Sequence, residues 1–330
     1  MTIKYQPRSQ SSAWCQLLFV ILCAVTADGH SQQTNFSKLV VFGDSLSDTG
    51  NLAVIDLPAP YFNNRISDGP VAADLIAQAI GSNAERSGHL LGLSGGFNYA
   101  VAGGNIDGAD PEDVTQQVTA YLQRENDQAD PDALYLVFAG GNDLRDIRSL
   151  VSASEAESRI SQAAMVLSAQ LLRLKNAGAR AFLIPNVANI GRLPETIERE
   201  MEQPGIIARA EQYTSLYNLR LEQLVDDFGA ENNIEVSLFD LFNAVEFLIN
   251  NAAEFGFMNA QEGCFDTENF VIEPECLIFG FESRVFFDGL HPSSASNQII
   301  AQQVIAAIPS LPNERVVPIT IAPILDLLLQ

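Results

Sequence analysis

A three-layer α/β/α sandwich with a mostly parallel central sheet is the fold class this chain predicts. Short apolar runs end in glycine or proline, helical patterns of 10 to 25 residues separate them, and no Ser/Gly linker, charge block or repeat divides the sequence. Strands that alternate with helices of that length need crossover connections, which place successive strands parallel.

The first strand is Lys38–Gly43 (KLVVFG). Gly69–Ile80 reads as a helix, with Pro70 near its first turn and apolar residues at helical spacing. Asp113–Glu125 is an amphipathic helix. Ala133–Ala139 (ALYLVFA) is a continuous apolar run before Gly140-Gly141, the pattern of a strand buried on both faces. Ser154–Asn176 is a long helix stopped by Gly178, and Arg180–Ile184 a second buried strand ending in Pro185-Asn186. Ile206–Phe228 is helical, Ile234–Phe239 a strand, and Leu241–Asn251 an apolar helix. Pro292 introduces the last helix, Ser294–Ile308.

The ends differ from the body. Lys4 and Arg8 precede an apolar run from Trp14 to Val25 and the small-residue pattern Val25-Thr26-Ala27, the order of a secretory signal peptide cleaved after Ala27. The run is about a dozen residues and contains Gln16, short of the roughly 20 that span a bilayer, so no transmembrane anchor is expected. The organisation read from the sequence is therefore a leader (1–27), a short segment (28–37), one domain (38–308) and a Pro-containing apolar tail (309–330). This order implies export to the periplasm or the extracellular space. Cys15 and Cys23 leave with the leader, and Cys264 and Cys276 remain as a pair that closes a local loop in an oxidising compartment. Two thiols with no CxxC and no nearby histidine do not make a metal site.

The chain carries 18 basic and 41 acidic residues, a net charge of −23. It has no basic stripe to displace counterions from phosphates, which excludes a nucleic-acid partner. High negative charge favours solubility and a monomer.

The turn after the first strand places Ser45 just beyond a strand's carboxyl end, where ligands of open α/β sheets gather. Acyl transfer through a serine needs a base, an orienter for that base and donors for an oxyanion. Only three histidines are present. His30 comes soon after the leader in a polar segment, and His89 lies in a Gly/Ser-rich loop with no acid placed to orient it. His291 comes three residues after Asp288, close enough for the carboxylate to reach one ring nitrogen while the other points outward. A simple turn is the competing reading of Asp288-Gly289, and a helix start that of His291. Gly96–Gly104 (GFNYAVAGG) ends in glycines that bare backbone N–H groups, and Asn142 in GGNDL comes just after a buried strand. Either could instead be a turn or a helix cap.

Taken together, GDSLSDTGN (43–51), NYAVAGG (98–104), GGND (140–143) and DGLHP (288–292) resemble, in order, the four blocks of the GDSL-type or SGNH hydrolases. Flanking text such as YFNNRISDGPVAADLIA (61–77), IPNVANIGRLP (184–194) and FFDGLHPSSASNQIIA (286–301) is similar to the family's secreted lipase/phospholipase branch. The resemblance implies a flavodoxin-like sandwich and a carboxylic ester hydrolase. It implies Ser45 as nucleophile, His291 as general base and Asp288 as its orienter. The N–H groups of Ser45 and Gly103 and the Asn142 amide would form the oxyanion hole, and no metal or organic cofactor is needed. Many relatives read NYA-x-GGA, whereas here Ala102 takes the first glycine's place; Gly103 aligns with the second, and Gly104 is the alternative. The implied substrate is a lipid, phospholipid or short-chain ester. An acyltransferase with an alcohol acceptor would use the same residues, and a secreted binding protein that lost the chemistry is the non-enzymatic reading.

Overall fold

The computed structural model describes residues 36–52, 56–232 and 234–309. The leader, His30 and nearly all of the expected tail (310–330) lie outside the described residues.

Four parallel strands form the central sheet in the order β1 (Leu39–Gly43), β2 (Leu134–Phe138), β3 (Ala181–Pro185), β4 (Glu235–Phe239). Every residue of β1, β2 and β3 is buried, as uninterrupted apolar runs require when helices cover both faces. β4 lies on the sheet's edge and is largely half-buried. The other side of β1 is closed by the extended segment 97–101. Val41 donates to the Phe97 carbonyl (3.0 Å), Tyr99 to that of Val41 (2.8 Å) and Val101 to that of Gly43 (3.1 Å). That segment also carries one of the functional loops, so the sheet edge and the site are built by the same hydrogen bonds.

The helices are α1 (Ala72–Ala79), α2 (Val114–Arg124), α3 (Gly141–Ile147), α4 (Ala153–Ala177), α5 (Pro194–Arg199), α6 (Ile206–Asn232) and α7 (Leu241–Asn250), then α8 (Pro274–Phe279) and α9 (Ser294–Ala306). α2, α4 and α6 pack together as one group, and α1, α7 and α9 as another, flanking the sheet. Local chemistry sets their ends. Ser152 accepts from the Glu155 N–H at 3.3 Å and starts α4, a cap worth about 1 kcal/mol. Asp240 and Ser293 do the same for α7 and α9. The buried positions of α4, from Ala156 and Ile160 through Leu167 and Leu171 to Leu174, keep the helical repeat that the sequence displays.

The structure adds α3 and α5, helices that the sequence reading did not assign, and differs from that reading in two further regions. The helix expected from Gly69 begins at Ala72, because Asp74 accepts from the Val71 N–H (3.1 Å) and caps the chain there. The stretch 250–285, featureless in hydrophobic pattern, holds β5 (Asn259–Gly263), a short hairpin of β6 (Phe265–Asp266) and β7 (Val271–Ile272), α8, and β8 (Arg284–Phe286), which pairs parallel with β5. A strand such as NAQEG has no apolar alternation; pairing with β8 defines it. A disulfide joins Cys264 to Cys276, with Cα atoms 5.7 Å apart, at the base of the hairpin. Among the described residues, no helix is long and apolar enough to cross a membrane.

Candidate active site

β1 delivers Ser45 at the carboxyl end of the sheet. Gly43 is required where the strand ends, because a Cβ there would collide with the Phe138 carbonyl oxygen of β2. The Asp44 carbonyl then accepts from the N–H groups of Ser47 (3.1 Å) and Asp48 (3.0 Å), turning the chain sharply. Asp48 fixes the backbone beyond this turn. Its carboxylate accepts from the backbone of Gly50 and Asn51 (both 2.7 Å), and from that of Ala102 at 2.9 Å, one residue before Gly103. Asn51 donates to the carbonyls of Asn98 and Ala100, and the Asn98 amide donates back to the Ser47 carbonyl. The first two sequence blocks are thus laced together by the polar side chains within them.

The fourth block meets the first across 246 positions. His291 Nε2 lies 2.8 Å from Ser45 Oγ. Its Nδ1 lies 3.0 and 2.9 Å from the two oxygens of Asp288. Asp288 Oδ1 also accepts from the backbone N–H groups of Leu290 (2.8 Å) and His291 (2.7 Å), which winds 288–291 into a tight turn. Burial alone would raise the Asp288 carboxyl; the His291 charge and these hydrogen bonds outweigh it and hold the group below its ordinary value. An ionised carboxylate only accepts, so Nδ1 carries the proton and Nε2 is left to accept from the serine hydroxyl. Ser45, Asp288 and His291 are all buried.

Each of the three candidate oxyanion donors has a proton to spare. Among the described residues, neither the Ser45 nor the Gly103 N–H has a protein acceptor, whereas the Gly104 N–H is engaged by the Val101 carbonyl at 3.1 Å. Gly103 has φ +88°, a conformation that favours glycine and turns its N–H out of the chain's own bonding. Asn142 sits in the first turn of α3, a helix that the sequence reading did not assign. Its Nδ2 gives one proton to the Gly104 carbonyl (3.0 Å), leaving the second free.

Arg145, one turn along α3, was not singled out from the sequence. It donates to Asn142 Oδ1 at 3.1 Å, so the amide's nitrogen must face the other way. Its remaining nitrogens grip Glu195 at 2.7 and 3.0 Å. Arg148 also pairs with Glu195, whose backbone N–H donates to the Gly289 carbonyl (2.9 Å) inside the histidine turn. Asn142 and His291 are therefore positioned by one ion network. The i,i+3 spacing of Asn142 and Arg145 was a usable sequence signal; nothing in the sequence marks Glu195. Behind the serine lie two shielded acids. Burial pushes Asp44 up to about 6, against the Leu46 N–H and the nearby His291 and Arg145 charges. Burial pushes Asp143 up to about 7, and the Asp44 and Asp146 charges add to it. No group of three or more His, Cys, Asp or Glu side chains among the described residues could hold a metal ion.

The profile of the GDSL-like Lipase/Acylhydrolase family matches residues 39–304. The chain belongs to that family. Membership makes it a carboxylic ester hydrolase by class, with the parallel sheet and flanking helices of the SGNH fold. Among curated proteins it is 26% identical to "Inactive GDSL esterase/lipase-like protein 25" of Arabidopsis thaliana, over 81% of this chain and 71% of that protein. It is 30% identical to "Lipase 1" of Photorhabdus luminescens, over 57% of this chain but only 28% of that protein. It is 25% identical to "Thermolabile hemolysin" of Vibrio parahaemolyticus, over 84% of this chain and 65% of that protein. Among solved structures, the acetylxylan esterase Axe2 of Geobacillus stearothermophilus aligns with 83% of this chain and 95% of its own, at 13% identity and a TM-score of 0.42.

Proposed function

We propose that this chain is an exported serine esterase that cleaves lipid, phospholipid or short-chain carboxylic esters through an acyl-enzyme on Ser45. One observation carries the reading: an unbroken line from Ser45 Oγ through His291 Nε2 and Nδ1 to Asp288, at 2.8 and 2.9 Å. The leader-like residues 1–27 and the Cys264–Cys276 disulfide support export.

The hydroxyl proton of Ser45 passes to His291 Nε2 as Oγ attacks the ester carbonyl. Asp288 stabilises the imidazolium that forms. The carbonyl oxygen, now negative, is met by the N–H groups of Ser45 and Gly103 and the free amide proton of Asn142. The tetrahedral intermediate collapses, His291 gives its proton to the departing alcohol, and the acyl group stays on Oγ. Water, deprotonated by His291, then attacks the acyl carbon, and His291 returns that proton to Ser45 Oγ as the acid is released. The oxyanion donors are fixed before the substrate arrives, which is why such groups stabilise the transition state strongly.

One of the similar plant proteins is named inactive. Here the serine, the histidine, the acid and the free donors stand together, and that favours chemistry over binding alone. A fluorophosphonate probe tests it: the reading expects one adduct, on Ser45, and loss of both adduct and 4-nitrophenyl ester turnover in Ser45→Ala. Turnover that survives in Ser45→Ala would end this assignment.

A further inference from the structure

Gln117 is fully buried on the inward face of α2, yet no step of the mechanism above uses it. Its amide makes three hydrogen bonds. Oε1 accepts from the Gly43 N–H at 2.9 Å, and Nε2 donates to the carbonyls of Gly43 and Glu112, both at 2.7 Å. Gly43 closes β1 two residues before Ser45, and Glu112 lies in the loop that returns from Gly103 to α2.

The contact with Gly43 takes the place of a sheet hydrogen bond. Segment 97–101 follows β1 as a parallel ladder, in which Val41 donates to Phe97, Tyr99 to Val41 and Val101 to Gly43. The remaining rung of that pattern would run from the Gly43 N–H to the Tyr99 carbonyl. Among the described residues that rung is missing, and the Gly43 proton goes to Gln117 instead. A carboxamide can make the exchange because, like a peptide group, it offers both an acceptor and a donor. The ladder loses its rung just where the segment gives way to the Gly103 loop.

The same amide reaches the oxyanion side. The Glu112 carbonyl that it holds lies against the Gly104 Cα, where a Cβ would collide with it. Gly104 spends its N–H on the Val101 carbonyl and its own carbonyl on the Asn142 amide. One side chain therefore ties the strand end that carries Ser45 to the loop that carries Gly103 and anchors Asn142.

We propose that Gln117 is a positioning residue for the reaction: its amide fixes where the Ser45 and Gly103 N–H groups stand relative to each other. The proposal rests on the acyl-enzyme reading of Ser45. Oxyanion donors act by being in place before charge develops, and a misplacement of about 1 Å costs roughly 10²-fold in rate. Without the amide the Gly43 N–H is buried with no partner, so the strand end must shift to find one.

The test measures kcat and KM for 4-nitrophenyl acetate on the full chain between pH 6 and pH 9. Active sites are counted by fluorophosphonate titration, and the folded fraction is followed by circular dichroism at each pH. Gln117→Met keeps the volume and removes all three hydrogen bonds. Its kcat should fall roughly tenfold to 10²-fold at every pH, with KM within about twofold of wild type. Gln117→Glu keeps the acceptor for Gly43, but its second oxygen can donate only while protonated. Burial and the two facing carbonyls both favour the neutral carboxyl and raise its pKa. Its kcat should stay within about threefold of wild type near pH 6 and drop about tenfold or more toward pH 9, a decline wild type does not share. If Gln117→Met does not fold, the pH profile of Gln117→Glu decides. Wild-type kcat in both variants, a rise in KM with kcat unchanged, or a loss of kcat that tracks the folded fraction would overturn the proposal and leave the serine mechanism standing. Failure of both variants to fold would overturn it too, since Gln117 would then support the fold alone. If Ser45→Ala hydrolyses the ester like wild type, the mechanism itself is wrong and the proposal goes with it.

Discussion

His291 and His89 each lie within hydrogen-bonding distance of a serine hydroxyl, 2.8 Å from Ser45 and 2.7 Å from Ser87. The contact is equally short in both pairs, so it cannot be what separates them. His291 offers Nε2 to its serine and anchors Nδ1 on Asp288. His89 spends Nδ1 on a serine two residues away, and its other nitrogen faces the Pro111 backbone with no carboxylate to stabilise a charged ring. Burial pushes the His89 pKa down, which disfavours the protonated state a base must pass through. The serines differ too. The Ser87 N–H is consumed by the Asn98 carbonyl at 2.7 Å, whereas that of Ser45 is free. A serine–histidine contact becomes a nucleophile only when the far nitrogen has an acid and the serine's own N–H has nothing to do.

The largest effect that could break this contrast comes from the serines themselves. Ser45→Ala should lower kcat on a short ester on the order of 10⁶-fold, while Ser87→Ala keeps fluorophosphonate labelling at Ser45. Labelling lost in Ser87→Ala and kept in Ser45→Ala would reverse the comparison. Next is the acid. Asp288→Asn preserves shape but favours the wrong ring tautomer, and kcat should drop about 10⁴-fold; a small loss would mean the carboxylate is not the feature that distinguishes His291.

The oxyanion side sharpens the picture at smaller scale. Asn142→Ala should cost about 10²–10³ in kcat. Arg145→Met leaves the donor in place but frees its orientation, so kcat should fall roughly tenfold to 10²-fold with KM little changed. A rise in KM with unaltered kcat would make Arg145 a substrate contact instead. The smallest effect is on stability. Asp143 in the folded chain titrates near 7, above the ordinary aspartate value of 3.8, so between those pH values the unfolded chain has released a proton that the folded one keeps. The contribution of Asp143 to stability therefore falls as pH rises through that window. Asp143→Asn should weaken that fall, recovering about 2–4 °C of the drop in Tm between pH 5 and pH 8. An unchanged pH slope in the variant would show that Asp143 does not carry it.

Much of this was legible along the chain. Beyond Lys38 and Arg180 at their starts, the runs at 38–43, 133–139 and 180–184 are apolar because strands covered on both faces have no side to leave polar, and they became β1, β2 and β3. The stretch 250–285 was not legible, since its strands are short, the longest of them is polar, and they exist through partners rather than pattern. At the site, residue type and spacing made Ser45, Asp288 and His291 candidates, and the resemblance of the four motif blocks to a known family singled them out. Asp48 and Glu195 could not be named in this way, because each acts on residues of a distant block, and Arg145 offered only its i,i+3 spacing to Asn142. A charge on a loop looks the same in sequence whether it faces water or ties two functional loops together.

By itself the sequence determined the alternation of strands and helices, the turn that ends the first strand, and the single histidine with an acid three residues before it. These are local matters, set by backbone conformation and by periodicity over a few residues. The tertiary structure alone decided that the Gly103 N–H is free while that of Gly104 is used. It alone decided that a guanidinium turns the Asn142 amide and that α7 and α9 leave an apolar space beside Ser45. Each of these depends on which groups meet after the chain has closed on itself, and hydrogen-bond satisfaction and packing have no counterpart in neighbouring residue types.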